Sequence, residues 1–281
     1  MRIRELFLIA FAVFTNALLP VVAASQTAVG QSFPPVVIKG SETRTLKSEE
    51  TGRNYDLYIR LAGSAAPGKK VPVLYLLDGQ WDFKLLDSVW GGLYYDKFVP
   101  DIVIVGITYS GENPNFDELR AMDYTPTRNI AVKGSGDAPR FLAFLKNKVM
   151  PLVESNYGGD PGKRILMGSS YGGLFTLYAM LTEPALFYGY VAASPAVSYD
   201  NNFLFALEKK YAETRKSLPA RAFISVGDQE QLTQPVKDFI QVIKGRGYTG
   251  FRTETRVIEG ERHAGNKPEA FNRGLRFVFQ D

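Results

Sequence analysis

The chain has 281 residues, no cysteine, a single histidine and a formal net charge of +4. Without thiols and with one imidazole it cannot build a zinc finger, a His-rich zinc-hydrolase centre or a c-type haem attachment site. The positive excess is small and scattered, which excludes a nucleic-acid reader and is compatible with an anionic small molecule.

In chain order, Arg2 and Arg4 precede an apolar run from Leu6 to Leu19, and Val22-Ala23-Ala24 offers a small-residue cleavage site. Residues 1–24 therefore read as a secretory signal peptide, which puts the mature protein in the periplasm or outside the cell. The run is short for a membrane span and no second one follows. Residues 25–39 are a lead-in containing Pro34-Pro35, and residues 40–281 form one folded domain, large enough to do without disulfides. Its oligomeric state is left open.

Residues 42–48 and 55–61 alternate apolar with polar around Glu49-Glu50-Thr51-Gly52, the pattern of an antiparallel hairpin. After a loop over 65–70, the continuous apolar run 71–77 predicts a strand buried on both faces. A helix over 82–95, a strand over 102–107, a long loop over 108–134 and a helix over 138–155 follow. The remainder alternates strictly: strand 164–167, helix 173–181, strand 188–193, helix 202–211, strand 220–226, helix 234–244, strand 252–258 and helix 269–279. Such alternation predicts an α/β fold, a mostly parallel sheet with helices on both faces. Gly158–Lys163 resembles a phosphate loop only superficially, because Arg164 stands where Ser or Thr is required.

The chemistry is concentrated at Gly168-Ser169-Ser170-Tyr171-Gly172. This G-x-S-x-G turn sits between a strand and a helix, which lifts the Ser170 hydroxyl above the carboxyl end of the sheet. A serine needs a base, and His263, after the last strand, is the one imidazole available on that edge. The imidazole needs a carboxylate; Glu230 is preferred for its reach and Asp228 is the second candidate, one of the two serving as a turn-former. The order serine, acid, histidine is that of the α/β-hydrolase arrangement. Two backbone donors for an oxyanion are expected from Tyr171 and from Gln80, in the loop after the early buried strand.

Several stretches together resemble the esterase D and enterochelin-esterase-like branch of the α/β-hydrolases, a branch that includes feruloyl esterases and mycolyltransferases. They are Tyr75-Leu76-Leu77-Asp78-Gly79-Gln80, Asp123-Tyr124-Thr125-Pro126-Thr127, Gly168–Gly173, Ser194-Pro195-Ala196, Gly227-Asp228-Gln229-Glu230 and Gly260 with His263. Tyr171 stands where that family often carries Met or Leu. The resemblance implies an α/β-hydrolase fold, a Ser170–His263–Glu230 triad, an oxyanion hole at Gln80 and Tyr171, and no cofactor. It further implies a serine carboxylic ester hydrolase acting through an acyl-Ser170 intermediate on small polar or aromatic esters such as siderophore lactones. In the family the long loop shapes the substrate mouth, so Trp81, Tyr124 and Arg128 are expected to contact substrate, with Tyr171 and Tyr199 in an aromatic rim and Arg252, Arg262 and Lys267 adding positive charge. An acyltransferase using the same triad, a peptidase on the same fold and a non-catalytic binding protein on a hydrolase scaffold are the alternatives.

Overall fold

A computed structural model describes residues 34–63 and 68–280. The expected signal peptide, most of the lead-in and part of the loop over 65–70 lie outside the described residues. The compact body is the unit Ile38–Asp281. Among the described residues, no helix is long and apolar enough to cross a membrane.

The chain folds in the order β1 (Ser41–Lys47), β2 (Asn54–Arg60), β3 (Val71–Leu76), α1 (Gly79–Tyr95), β4 (Val103–Tyr109), α2 (Phe116–Tyr124) and α3 (Ala138–Phe144). A π-helical turn, Leu145–Val149, leads into α4 (Met150–Asn156), followed by β5 (Gly159–Ser169), α5 (Tyr171–Thr182), β6 (Gly189–Ala193) and α6 (Tyr199–Thr214). Then come β7 (Ser217–Gly227), α7 (Thr233–Gly245), β8 (Thr249–Ile258) and α8 (Lys267–Phe279). The strands make a single sheet in the order β1-β2-β4-β3-β5-β6-β7-β8. The N-terminal pair and its junction with β4 are antiparallel, and every pairing from β4 across to β8 is parallel. This is the α/β-hydrolase fold, with the expected hairpin at one edge.

The period-2 alternation of β3 explains the two-sided core. Val71, Val73, Tyr75 and Leu77 face a cluster formed with α3, α4, α5, α6 and α7, whereas Leu74 and Leu76 face α1 and α8. A strand buried on both faces needs apolar side chains at nearly every position, as its sequence has. Parallel strands all end on one edge, so the loops after β3, β5, β6, β7 and β8 are brought together there.

Three local departures have physical causes. The single helix expected over 138–155 is interrupted by the π-helical turn because Pro151 has no N–H to donate and its ring crowds the preceding turn. Strand β5 starts earlier than expected, at Gly159, and shifts register against β3 between Val71 and Val73. The long loop over 108–134 contains a helix, α2. Its start is fixed by Asn115, whose side-chain oxygen accepts from Glu118 N at 3.2 Å while its amide donates to Glu118 Oε2 at 3.2 Å.

The connection after α2 is anchored to β2 by buried charge. Asp123 is fully buried, accepts the Tyr55 hydroxyl at 2.7 Å and is paired with Arg53, which also reaches Asp137 at 2.8 Å. Burial pushes the Asp123 carboxyl up to about 6, against the opposing pull of Arg53 and Tyr55. A carboxyl raised in the folded state binds its proton more tightly there than in the unfolded chain. Its contribution to stability is therefore complete below the unfolded value and declines as pH rises through about 6. Urea midpoints measured from pH 4 to pH 7 are expected to carry this falling component, and Asp123→Asn should remove it; an identical pH profile in the variant would contradict the assignment.

Candidate active site

The bend at Ser170 is strained and tightly held. Ser170 lies between β5 and α5 with φ 61° and ψ −118°, a conformation that L-residues rarely adopt. Its N–H donates to Ala193 O at 3.0 Å, and its carbonyl accepts from Leu174 N at 2.9 Å and Ala196 N at 3.1 Å. Glycine is required at 168 because a Cβ there would lie 2.5 Å from the Gly172 carbonyl carbon. Strain of this kind, of order 1–3 kcal/mol, persists only where neighbouring structure over-determines the backbone.

Two strands along the sheet, the chain after β7 places Glu230 against His263. His263 Nδ1 lies 2.6 Å from Glu230 Oε2, and the Glu230 side chain is 4% exposed while that of His263 is 46% exposed. An ionised carboxylate accepts only from a ring nitrogen that carries hydrogen, so the contact assigns a proton to Nδ1, and in the neutral imidazole Nε2 then keeps its lone pair. The other carboxylate oxygen, Oε1, accepts from Ser194 Oγ at 2.5 Å and Gly227 N at 2.8 Å, with Asn266 Nδ2 at 3.4 Å. Asp228 points elsewhere: its Oδ1 accepts Gly260 N at 2.9 Å and so closes the turn after β8. Of the two acids weighed from the sequence, only Glu230 touches the imidazole.

Gln80 and Tyr171 sit in the first turns of α1 and α5, where backbone N–H groups have no intrahelical acceptor. The two helices leave the carboxyl ends of adjacent strands, β3 and β5, which are tied at that edge by Leu77 N donating to Met167 O at 2.9 Å. Both positive helix ends therefore face the edge that carries Ser170. Beneath them Arg120, from α2, donates to both oxygens of Asp78 at 2.8 Å and to the Ser169 carbonyl at 3.3 Å. Its guanidinium lies 5.6 Å from the Trp81 ring centroid, 5.7 Å from Tyr124 and 5.5 Å from Tyr171. Asp82, one turn further along α1, accepts Lys267 Nζ at 2.9 and 3.0 Å.

The residues expected at the substrate mouth separate. Trp81 is 41% exposed beside Phe116, and Arg128 is exposed in the connection after α2. Tyr124 is not at the mouth: it is fully buried, its ring packs against Phe141 and Phe175, and its hydroxyl oxygen accepts Asp78 N at 3.2 Å. It falls on the inner face of α2, which reading the segment as a loop concealed. Tyr199 is also buried, 5.9 Å from Tyr171, and donates to Thr127 O at 2.7 Å. Arg252 belongs to the opposite edge, since it lies near the start of a parallel strand whose carboxyl end is Ile258. Lys267 is committed to Asp82.

Sequence reasoning missed Arg120, Asn266 and the role of Ser194. Arg120 was hidden with its helix, although Asn115 and Glu118 have the capping-box spacing that announces one. Asn266 is fully buried and donates to Ser194 Oγ and, at 3.0 Å, to the His263 carbonyl; no pattern in the sequence marks it.

A family model described as "Putative esterase" matches residues 48–267, and the chain belongs to this family of esterases. It is a carboxylic ester hydrolase. Among its relatives, the ferri-bacillibactin esterase BesA of Bacillus subtilis is 27% identical over 261 residues, covering 86% of this chain and 90% of BesA. The apo-salmochelin esterase of Escherichia coli is 31% identical over 178 residues, covering 58% of this chain and 55% of that protein. In structure the chain is similar to the BES protein of Bacillus cereus, with a TM-score of 0.81, 25% identity, and coverage of 90% of this chain and 99% of that one.

The Ser194 hydroxyl connects two polar groups, the Glu230 carboxylate and the Asn266 amide, so Ser194→Ala takes one hydrogen bond from each. A loss of about 1–3 kcal/mol in unfolding free energy is expected, read from urea denaturation. An unchanged midpoint would show that the hydroxyl does not hold these groups.

Proposed function

We propose that the protein hydrolyses esters through an acyl-Ser170 intermediate. His263 Nε2 takes the hydroxyl proton as Ser170 Oγ attacks the ester carbonyl, and the imidazolium that forms is stabilised by Glu230 through Nδ1. Gln80 N–H and Tyr171 N–H receive the charge on the tetrahedral oxygen. The same imidazolium gives its proton to the departing alkoxide, releasing the alcohol. Water then loses a proton to His263 and attacks the acyl carbon, and collapse of the second tetrahedral intermediate returns the proton to Ser170 and frees the acid. Each half-reaction conserves charge and needs no oxidant, reductant or metal.

The observation that carries this reading is the 2.6 Å contact between His263 Nδ1 and Glu230 Oε2, on the sheet edge that also bears the strained Ser170. A buried carboxylate bonded to a solvent-exposed imidazole fixes the tautomer in which Nε2 serves as a base.

The substrate class is argued from the relatives and from the rim. The curated relatives named above are esterases of bacillibactin and salmochelin. On this chain the exposed Trp81 ring offers a face for a planar aryl group, and the exposed Arg128 and Arg262 supply positive charge. We infer a polar or aromatic ester, with a siderophore lactone as the leading example.

The test is a panel of aryl and alkyl esters with a catecholate trilactone, assayed by product analysis. Ser170→Ala and His263→Ala are expected to lose at least about 10³-fold in kcat and Glu230→Gln about 10²–10⁴-fold, whereas Asp228→Asn stays within a few-fold of the parent. A serine-directed phosphonate should label the parent at Ser170 and leave Ser170→Ala unlabelled. Full turnover by Ser170→Ala would end the proposal.

A further inference from the structure

The short segment from Asp78 to Asp82 is gripped from three directions. Asp78 has φ 56° and ψ 42°, a left-handed conformation that side-chain-bearing residues adopt at a cost. Its carboxylate is 2% exposed and meets the planar fork of Arg120, whose side chain is 11% exposed. At the other end, the Asp82 side chain, 5% exposed, meets Lys267 from α8. Between them Gly79 lies flat on β4, where a Cβ would come within 2.7 Å of the Gly106 carbonyl carbon. Helices α2 and α8 and strand β4 thus all fix the few residues that carry the Gln80 N–H.

Stability alone does not account for two buried ion pairs here. Desolvation offsets most of the attraction of such pairs, and apolar side chains of similar volume commonly serve as well. What the pairs supply is direction. A bidentate guanidinium fixes both the position and the plane of the Asp78 carboxylate. Arg120 also donates to the Ser169 carbonyl, directly before the nucleophile, so one side chain spans the distance between the α1 and α5 helix starts. Lys267 follows Asn266, whose amide holds the His263 carbonyl and Ser194, so the second grip refers the same turn to the loop bearing the base.

We infer that Arg120 and Lys267 are positioning residues for ester hydrolysis: acting through Asp78 and Asp82, they hold the Gln80 N–H at the spacing from the Tyr171 N–H that a tetrahedral oxyanion requires. This rests on the assignment of those two amides as the oxyanion donors. Neither cation touches the substrate in this account. Arg120 acts mainly on the width of the oxyanion site, and Lys267 on its alignment with the base.

The experiment compares Arg120→Gln, Arg120→Lys, Lys267→Met and the double variant Asp78→Asn/Arg120→Gln with the parent. Three quantities are read on the full chain: kcat and KM for a small aryl acetate, the inhibition constant of an aryl trifluoromethyl ketone, and the thermal midpoint. The ketone adds Ser170 Oγ to its carbonyl carbon and so carries the oxyanion that the ground-state ester lacks. Loss of an oxyanion donor costs about 10²–10³-fold in kcat, so Arg120→Gln is expected to fall about 30–300-fold in kcat with KM within about threefold. Ketone affinity should fall in step with kcat/KM. Lys267→Met is expected to lose about 5–30-fold in the same way. Arg120→Lys restores charge without the fork and should recover only part of the rate. The double variant removes the unpaired buried carboxylate, so its thermal midpoint should rise above that of Arg120→Gln while kcat stays low.

Retention of kcat within threefold by both the double variant and Lys267→Met overturns the inference, as does a fall in kcat with ketone affinity unchanged. Neither result touches the nucleophile assignment, which Ser170→Ala tests separately. Equal ketone binding and turnover by Ser170→Ala would remove the assignment itself.

Discussion

The Glu230 carboxylate is the interaction on which the rest of the site depends. It is nearly inaccessible to water, so its charge must be met by hydrogen bonds from the protein. Those bonds come from the loop after β6, through Ser194; from the end of β7, through Gly227; and from the loop after β8, through His263 and, more distantly, Asn266. One buried group thereby fixes three loops of the carboxyl edge relative to one another. Removing any loop from its place leaves a desolvated charge short of a partner, which is far more costly than the loss of an ordinary surface contact.

Backbone strain is concentrated on the same edge. Asp78, Ser170 and Ser194 have positive φ without being glycine and lie just beyond strand ends there, and the run Asp200–Asn202, also at positive φ, breaks the helical path at the start of α6. Each position is matched by specific contacts. Asp78 has Arg120, Ser170 has three backbone hydrogen bonds, and Ser194 has Glu230 with its own N–H on Ser225 O at 2.8 Å. The left-handed run is held by Asp200, which accepts the Thr127 hydroxyl at 2.5 Å, next to Tyr199 on the Thr127 carbonyl. A doubly covered parallel sheet provides the rigid platform from which such conformations can be enforced.

Much of this was legible in the sequence because it depends on short-range patterns. Buried parallel strands need unbroken apolar runs, and Val71–Leu76 and Val103–Tyr109 have them. The strand-turn-helix context of Ser170, and the placing of Glu230 and His263 after strands, follow from strict β-α alternation. What stayed hidden depends on contacts distant in the chain. Arg120 meets Asp78 across 42 residues and Lys267 meets Asp82 across 185, so no local window contains either pair. Tyr124 shows the opposite error, in which an aromatic residue near the site looked available for binding and is instead core. Its orientation depends on the phase of α2, which the capping pair Asn115 and Glu118 could have set.

The distribution of positive charge has a chemical consequence. Two cations beside the site, Arg120 and Lys267, are neutralised within the fold by Asp78 and Asp82, whereas Arg128 and Arg262 are exposed to solvent. Charge that is paired and desolvated attracts an incoming anion weakly, because its field is cancelled at short range by its partner. Exposed charge acts over about 8 Å in physiological salt and steers approach without binding the reacting group. In the proposed mechanism, an ester bearing anionic substituents would be drawn by this outer charge while its carbonyl met the backbone amides of Gln80 and Tyr171. On that reading the amide dipoles would lie nearest the oxygen on which charge develops and far from the substituents' charge, so they would stabilise the transition state more than the ground state.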